Sequence, residues 1–273
     1  MVTKAMILAK EAAAGKRLVP LRRRYNGQQL RLQSQRYNGQ QLRLRLKRQS
    51  RLLVGGAAHI PVRYFREGTS DEKAVEEIYG RKSYDRKIIN KKRFLDGDHW
   101  LDLGAHIGIF TQYMLDKGAK HMYAYEPHPE NFALLKKNVG KRATVVHAAV
   151  YGSQKPTHLY VAKRAENTWR HSVLPVNGRE SIPVKAIEID KVLRQHKNIK
   201  NIKMDVEGAE LDILKALKPA HLRRLRKIVF EYSTKHGYAE LKKIVKHLKH
   251  HGFRVKYPKS LGYPDSLIFC WKS

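Results

Sequence analysis

Carboxylates recur where short apolar runs end: Asp102 in HWLDLG, Glu126 in HMYAYEP, Asp205 in NIKMDVEG and Glu231 in KIVFEY. Acids in that position accept hydrogen bonds from hydroxyl groups, favour a cation beside them and repel a pyrophosphate. Asp205, Glu207 and Glu210 put three acids into six residues, more than packing asks for. Matching a helix N-terminus accounts for Glu207 and Glu210 but less easily for Asp205, which still belongs to the strand. After Asp102 the chain turns glycine-rich, with Gly104, Ala105, His106 and Gly108 in quick succession. Strand, glycine turn and helix in that order put a small molecule at the carboxyl end of a parallel strand. The two glycines are four apart with His106 between them, so the nicotinamide fingerprint G-x-G-x-x-G is not met. They are expected to let backbone amides approach a ligand, and a helix starting near Ile107 to aim its first amides at an anionic group. Glu126 follows Gly104 by twenty-two residues, the usual distance for an acid that grips a ribose diol. Turn plus acid fits a dinucleotide or S-adenosylmethionine, and the acidic edge suits the cationic sulfonium of the latter.

The elements that position these residues alternate in type. Strand HWLDL (99–103) leads to helix IFTQYMLDK, strand HMYAYE (121–126) to helix PENFALLKKNV, and strand TVVHAAV (144–150) to a β-rich stretch holding THLYVA and SIPVKAI. Helix IDKVLRQH precedes strand NIKMD (201–205) and helix GAELDILKAL; strand KIVFEY (227–232) precedes helix YAELKKIVKHLKHH. Helices are also expected near 71–79 and 84–91. Repeated strand–helix alternation means a mostly parallel sheet with helices on both faces. FRVKY and SLIFCW close the chain with no helix between them, so the sheet should end in a reversed strand.

Bulk properties set the boundaries. The chain has 273 residues and a formal net charge of +32. Such an excess favours anionic partners and says nothing of chemistry. Residues 1–60 hold fourteen Lys and Arg against one acid, Glu11, and repeat RYNGQQLRL at 24–32 and 36–44. Two copies are too few for a solenoid. This basic, low-complexity arm reads as a disordered tail, a polyanion contact or an Arg-rich organelle import signal. Gly55, Gly56 and Pro61 mark a linker, so the domains are an arm over 1–60 and a folded unit over 61–273. A lone Cys270 forms no intrachain disulfide, which points to a reducing, cytoplasmic setting. No apolar run approaches the ~20 residues of a membrane helix. His247, His250 and His251 sit on a basic helix end, and no metal set is read from them.

DLGAHIGIFT, YEPHPENFALLKKN and IKMDVEGAELDILKAL resemble, in order and spacing, the motifs of the FkbM family of S-adenosylmethionine-dependent O-methyltransferases. The resemblance spans about 63–273. It implies a Rossmann-like class I methyltransferase fold, a seven-stranded sheet with an antiparallel last strand, and methyl transfer to a hydroxyl of a sugar or other small molecule. On the matching positions it implies a methionine site at Asp102, Gly104, Ala105, His106, Gly108 and Thr111. Glu126 then holds the ribose, and Pro127 and Ala148 flank the adenine. Asp205 is the base or acceptor-orienting group, supported by Glu207 and Glu231. His171, in ENTWRHSVLP, is the other candidate base. The family usually has Asn where His106 stands. Two further readings compete: an RNA 2′-O-methyltransferase, using Asp205 and Glu231 with Lys87 and Lys235, and a non-catalytic polyanion-binding protein.

Overall fold

The computed structural model describes residues 64–84, 87–89, 92–93, 95, 97–153, 155–164, 167–233, 237–256 and 265–272. The basic arm and the boundary near residue 60 lie outside them. Seven strands form the central sheet: β1 His99–Leu103, β2 His121–Tyr125, β3 Thr144–Val146, β4 Asn201–Met204, β5 Lys227–Ser233, β6 Arg254–Lys256 and β7 Asp265–Trp271. Their spatial order is β3-β2-β1-β4-β5-β7-β6. The first five are mutually parallel; β7 runs antiparallel to both β5 and β6, so the reversed strand inferred from the helix-free ending is inserted next to the edge.

Alternation along the strands sorts side chains into two layers. Leu101, Leu103, Ile202 and Met204 pack with Val192, Ile213, Leu214 and Ile244, which lie on helices α4 Ile189–Gln195, α5 Glu210–Ala216 and α7 Tyr238–His250. Trp100 of β1 faces the other layer, against Val75 of α1 Ser70–Val75, Phe110 and Met114 of α2 Ile109–Asp116, and Leu134 of α3 Pro129–Val139. A short helix, α6 Pro219–Arg224, lies between α5 and β5 in the chain. Burial of these apolar faces is the main stabilising contribution, about 25 cal/mol per Å².

Three expectations are corrected. Residues 84–91 are not a helix: Lys87–Ile89 pairs antiparallel with Lys92–Arg93, and the apolar spacing of KII fits a short strand as well as a helical turn. The run 144–150 is not one strand. It breaks at His147, and Ala149–Tyr151 leaves the sheet to pair with Ala186–Glu188. The helix after the glycine turn starts at Ile109 rather than near Ile107, behind Gly108 in a left-handed conformation. The intervening segment folds on His158–Tyr160 and Ser181–Pro183, and a bridge from Tyr160 to Ser172 lays residues 168–173 over the ends of the strands. Among the described residues, no helix is long and apolar enough to cross a membrane.

Candidate active site

Strand order reverses between β1 and β4, and there the site begins. Lys203 of β4 is the register partner of Asp102 on β1, so both side chains leave the same face together. Both are buried. The Lys203 ammonium lies 3.3 Å from Asp102 and 3.6 Å from Asp205, and donates to the Gly104 carbonyl at 2.9 Å. Burial alone would lower its pKa; Asp102 and Asp205 overcome that and hold it above the ordinary lysine value. Thr111 donates to the other oxygen of Asp102 at 2.7 Å. Asp102 and Thr111 therefore lie beneath the site rather than in it.

The glycines serve the protein's own packing. A Cβ on Gly104 would lie 1.8 Å from the Asp205 carbonyl oxygen, and one on Gly108 2.7 Å from Leu135. The amides of Gly104 and Ala105 both donate to the Tyr125 carbonyl, and that of Gly108 to Ala105. The expectation that these amides reach toward a ligand is thus replaced: they fasten the turn to β2, and Ala105 packs with Ala124 and Leu135.

The pocket opens above this floor. Gly104 and His106 line it from the turn, Glu126 and Pro127 from the end of β2, Ala148 from the break after β3, and Asp205, Val206 and Glu207 from the turn after β4. Leu159, Trp169, His171 and Val173 close it from the folded insertion. Glu231 is not in the lining; its carboxyl hydrogen-bonds Asp205 from behind.

Glu126 is buried, and each oxygen already accepts one backbone amide, from His106 at 2.7 Å and His128 at 2.9 Å. Burial raises its pKa against the pull of His106 and those amides. A carboxylate oxygen accepts two bonds, and the Asn131 side chain takes one of the two remaining positions, so the carboxylate keeps room for a further bond toward the pocket. Asp205 accepts from the Tyr84 hydroxyl at 3.4 Å. Burial raises its pKa, but Lys203 and the Glu231 hydrogen bond outweigh this and leave it below the usual carboxylate range. His171 stacks on His128 with ring centroids 4.1 Å apart. Its Nδ1 accepts from the Ala162 amide at 3.2 Å, and its buried Nε2 has no hydrogen-bond partner among the described residues. Burial pushes its pKa down to about 2 and that of His128 to about 3, so both rings stay neutral. Glu210 is buried at the start of α5, where its oxygens accept the amides of Val206 and Gly208 and fold the acidic turn. It braces Glu207, whose backbone is held at φ +55°.

Sequence reasoning passed over Lys203, the one charge inside β4, and over Arg66, Asp71 and Thr168, which approach the turn from distant parts of the chain. Lys235 and the side chain of Lys87, needed for the RNA reading, lie outside the described residues.

The family profile of the methyltransferase FkbM domain matches residues 102–255, more than half of the chain. The chain belongs to the FkbM methyltransferase family. Methyltransferase 1 of Beauveria bassiana is 25% identical over 218 residues, covering 70% of this chain and 84% of that protein. Methyltransferase sdnD of Sordaria araneosa is 24% identical over 192 residues, covering 57% and 72%. Among solved structures, the FkbM methyltransferase of Methylobacillus flagellatus KT aligns with 18% identity and a TM-score of 0.46, over 76% of this chain and 56% of that one. The cofactor of this methyltransferase is S-adenosyl-L-methionine. The donor set fits it: the pocket is lined by the acidic residues Glu126, Asp205 and Glu207 together with the apolar Pro127, Leu159 and Val173, and the Lys203 cation is spent on the floor.

Burial of Glu210 moves its pKa from 4.5 up to about 7. Between those values the unfolded chain has released the proton and the folded one retains it, so folding stability falls as pH rises from 4.5 to 7 and levels off above. Glu210→Gln mimics the protonated form. Relative to this variant the native protein should lose up to about 3 kcal/mol across that window, as read by denaturant melts at pH 5 and 7.5.

Proposed function

We propose that this methyltransferase moves a methyl group from S-adenosyl-L-methionine to a hydroxyl oxygen of a sugar, glycan or other small acceptor. The observation that carries this reading is the gathering of Glu126, Asp205 and Glu207 on one pocket at the strand-order reversal. Glu126 receives the ribose diol at the carboxylate position that its two backbone amides and Asn131 leave open. Pro127 and Ala148 flank the adenine. The turn from Gly104 to Gly108, braced by Ala105, Asp102 and Thr111 beneath it, holds the methionine end. When bound, the cofactor supplies an electrophilic methyl on a cationic sulfur, so the protein's task is alignment and removal of one proton.

Asp205 is placed for the second task. A carboxyl held below the usual range is a weak base toward a resting hydroxyl. It therefore orients the hydroxyl by accepting its hydrogen bond and takes the proton as the new C–O bond forms. Glu231 and Lys203 keep it in place, and Glu207 borders the acceptor side. His171, neutral down to a pH of about 2, is a poor proton acceptor and serves as pocket wall. A single buried Cys270 supports a reducing, cytoplasmic setting, and the +13 arm adds a contact for polyanions.

Two variants test the assignment. Glu126→Gln keeps the size of the side chain and removes its charge. The loss of about 1.5–3 kcal/mol for a charge-assisted bond should weaken S-adenosyl-L-methionine binding at least about tenfold by calorimetry. Unchanged affinity would mean the ribose is held elsewhere. Asp205→Asn should bind the cofactor within a few-fold of the native protein yet turn over about 10²-fold more slowly, or worse, once an acceptor has been found by mass-spectrometric screening of glycans and small hydroxyl compounds. Retained turnover would take the proton-accepting role away from Asp205.

A further inference from the structure

We propose that Asp71, on α1 and outside the pocket, is a positioning residue that sets both the Glu126 carboxylate and the pocket wall at residues 168–171. This rests on the reading of Glu126 as the ribose-holding group.

The hydrogen-bond accounting around Asp71 leaves little choice. Its carboxylate has no exposed surface. One oxygen accepts from the Arg66 amide at 2.8 Å and Arg66 Nε at 2.9 Å. The other accepts from Arg66 Nη2 at 3.0 Å and Thr168 Oγ1 at 2.5 Å, and lies 3.1 Å from His106 Nε2. Hydrogen bonds and charge from His106 and Arg66 overcome burial and keep the carboxyl ionised. An ionised carboxylate only accepts, so His106 Nε2 must carry its hydrogen, shared between Asp71 and Thr168 Oγ1 at 3.0 Å. The single Thr168 hydroxyl hydrogen goes to Asp71. Ser70 Oγ then donates to Thr168 Oγ1 at 2.9 Å and accepts the Thr168 amide at 2.8 Å. Asn131 closes the set, accepting from Arg66 and donating to the Thr168 carbonyl at 2.8 Å.

Two consequences reach the pocket. The His106 ring is fixed while its backbone sits at φ +53°, a conformation that a residue with a side chain adopts at a cost. From that backbone the amide reaches Glu126 at 2.7 Å. On the other side, Thr168 anchors the segment that brings Trp169 and His171 into the lining. One buried carboxylate thus joins the leading helix, the glycine turn and the insertion, whose contacting residues are up to 97 apart in the chain. A carboxylate that served packing alone would need only Arg66.

The test is calorimetric binding of S-adenosylhomocysteine to the full chain, below the melting temperature of each variant. Asp71→Asn and His106→Ala should each weaken binding about tenfold or more. The double variant should be no more than about threefold weaker than Asp71→Asn alone, because losing His106 cuts a link that Asp71→Asn has already cut. Normal affinity in folded Asp71→Asn, or a double variant whose losses multiply, would overturn the proposal. If Asp71→Asn does not fold, Thr168→Val keeps the Arg66–Asp71 ion pair and, though less stable, should still weaken binding at least about threefold when measured below its melting temperature; normal binding would overturn it equally. Glu126→Gln separates the two readings. If it binds normally, the ribose assignment falls and this proposal with it. If it is weakened while Asp71→Asn binds normally, only the proposal falls.

Discussion

A single ammonium fixes the architecture of the site. Lys203 stands inside β4, directly opposite Asp102 of β1, where the order of strands reverses. A buried cation survives only among carboxylates and carbonyls, and removing one partner of such a pair costs about 3–5 kcal/mol. Lys203 meets that demand by holding Asp102, Asp205 and the Gly104 carbonyl at once. The ends of β1 and β4 are thereby drawn so close that only a residue without a Cβ fits at 104. The floor of the pocket is the result of this constraint, and the acidic edge above it is what the cation leaves over.

That edge is asymmetric in a useful way. On the β4 side, Asp205 sits beside Lys203 and under Glu231, ionised and oriented. On the β2 side, Glu126 is gripped by two backbone amides and buried enough to raise its pKa. Two carboxylates of similar chemistry thus stand in opposite electrostatic surroundings, in keeping with the different tasks proposed for them. His171, neutral and stacked on His128, lines the same pocket without adding charge.

Much of this was readable in the order of residues, and the rest was not for physical reasons. HWLDL, HMYAY and NIKM are strands to within a residue because continuous apolar runs bounded by turns have few other uses in an α/β chain. The missing helix before the final strand foretold its reversal. KII at 87–89 misled because two apolar residues carry no usable period. The glycines were rightly marked as places of close approach, but the sequence alone does not say what approaches; here it is the protein's own backbone. Asp71 lies in the first turn of a helix, where an acid is commonplace. Its partners Thr168 and His106 are distant in the chain, and no local pattern records such a meeting.

The central claim is that Glu126 holds the ribose and Asp205 faces the methyl. The most direct measurement is a crystal structure of the full chain with S-adenosylhomocysteine. Both ribose hydroxyls should lie within hydrogen-bond distance of the Glu126 carboxylate, with the adenine against Pro127 and Ala148 and the sulfur toward Asp205. A nucleoside seated away from the end of β2, or a sulfur pointing away from β4, would contradict it.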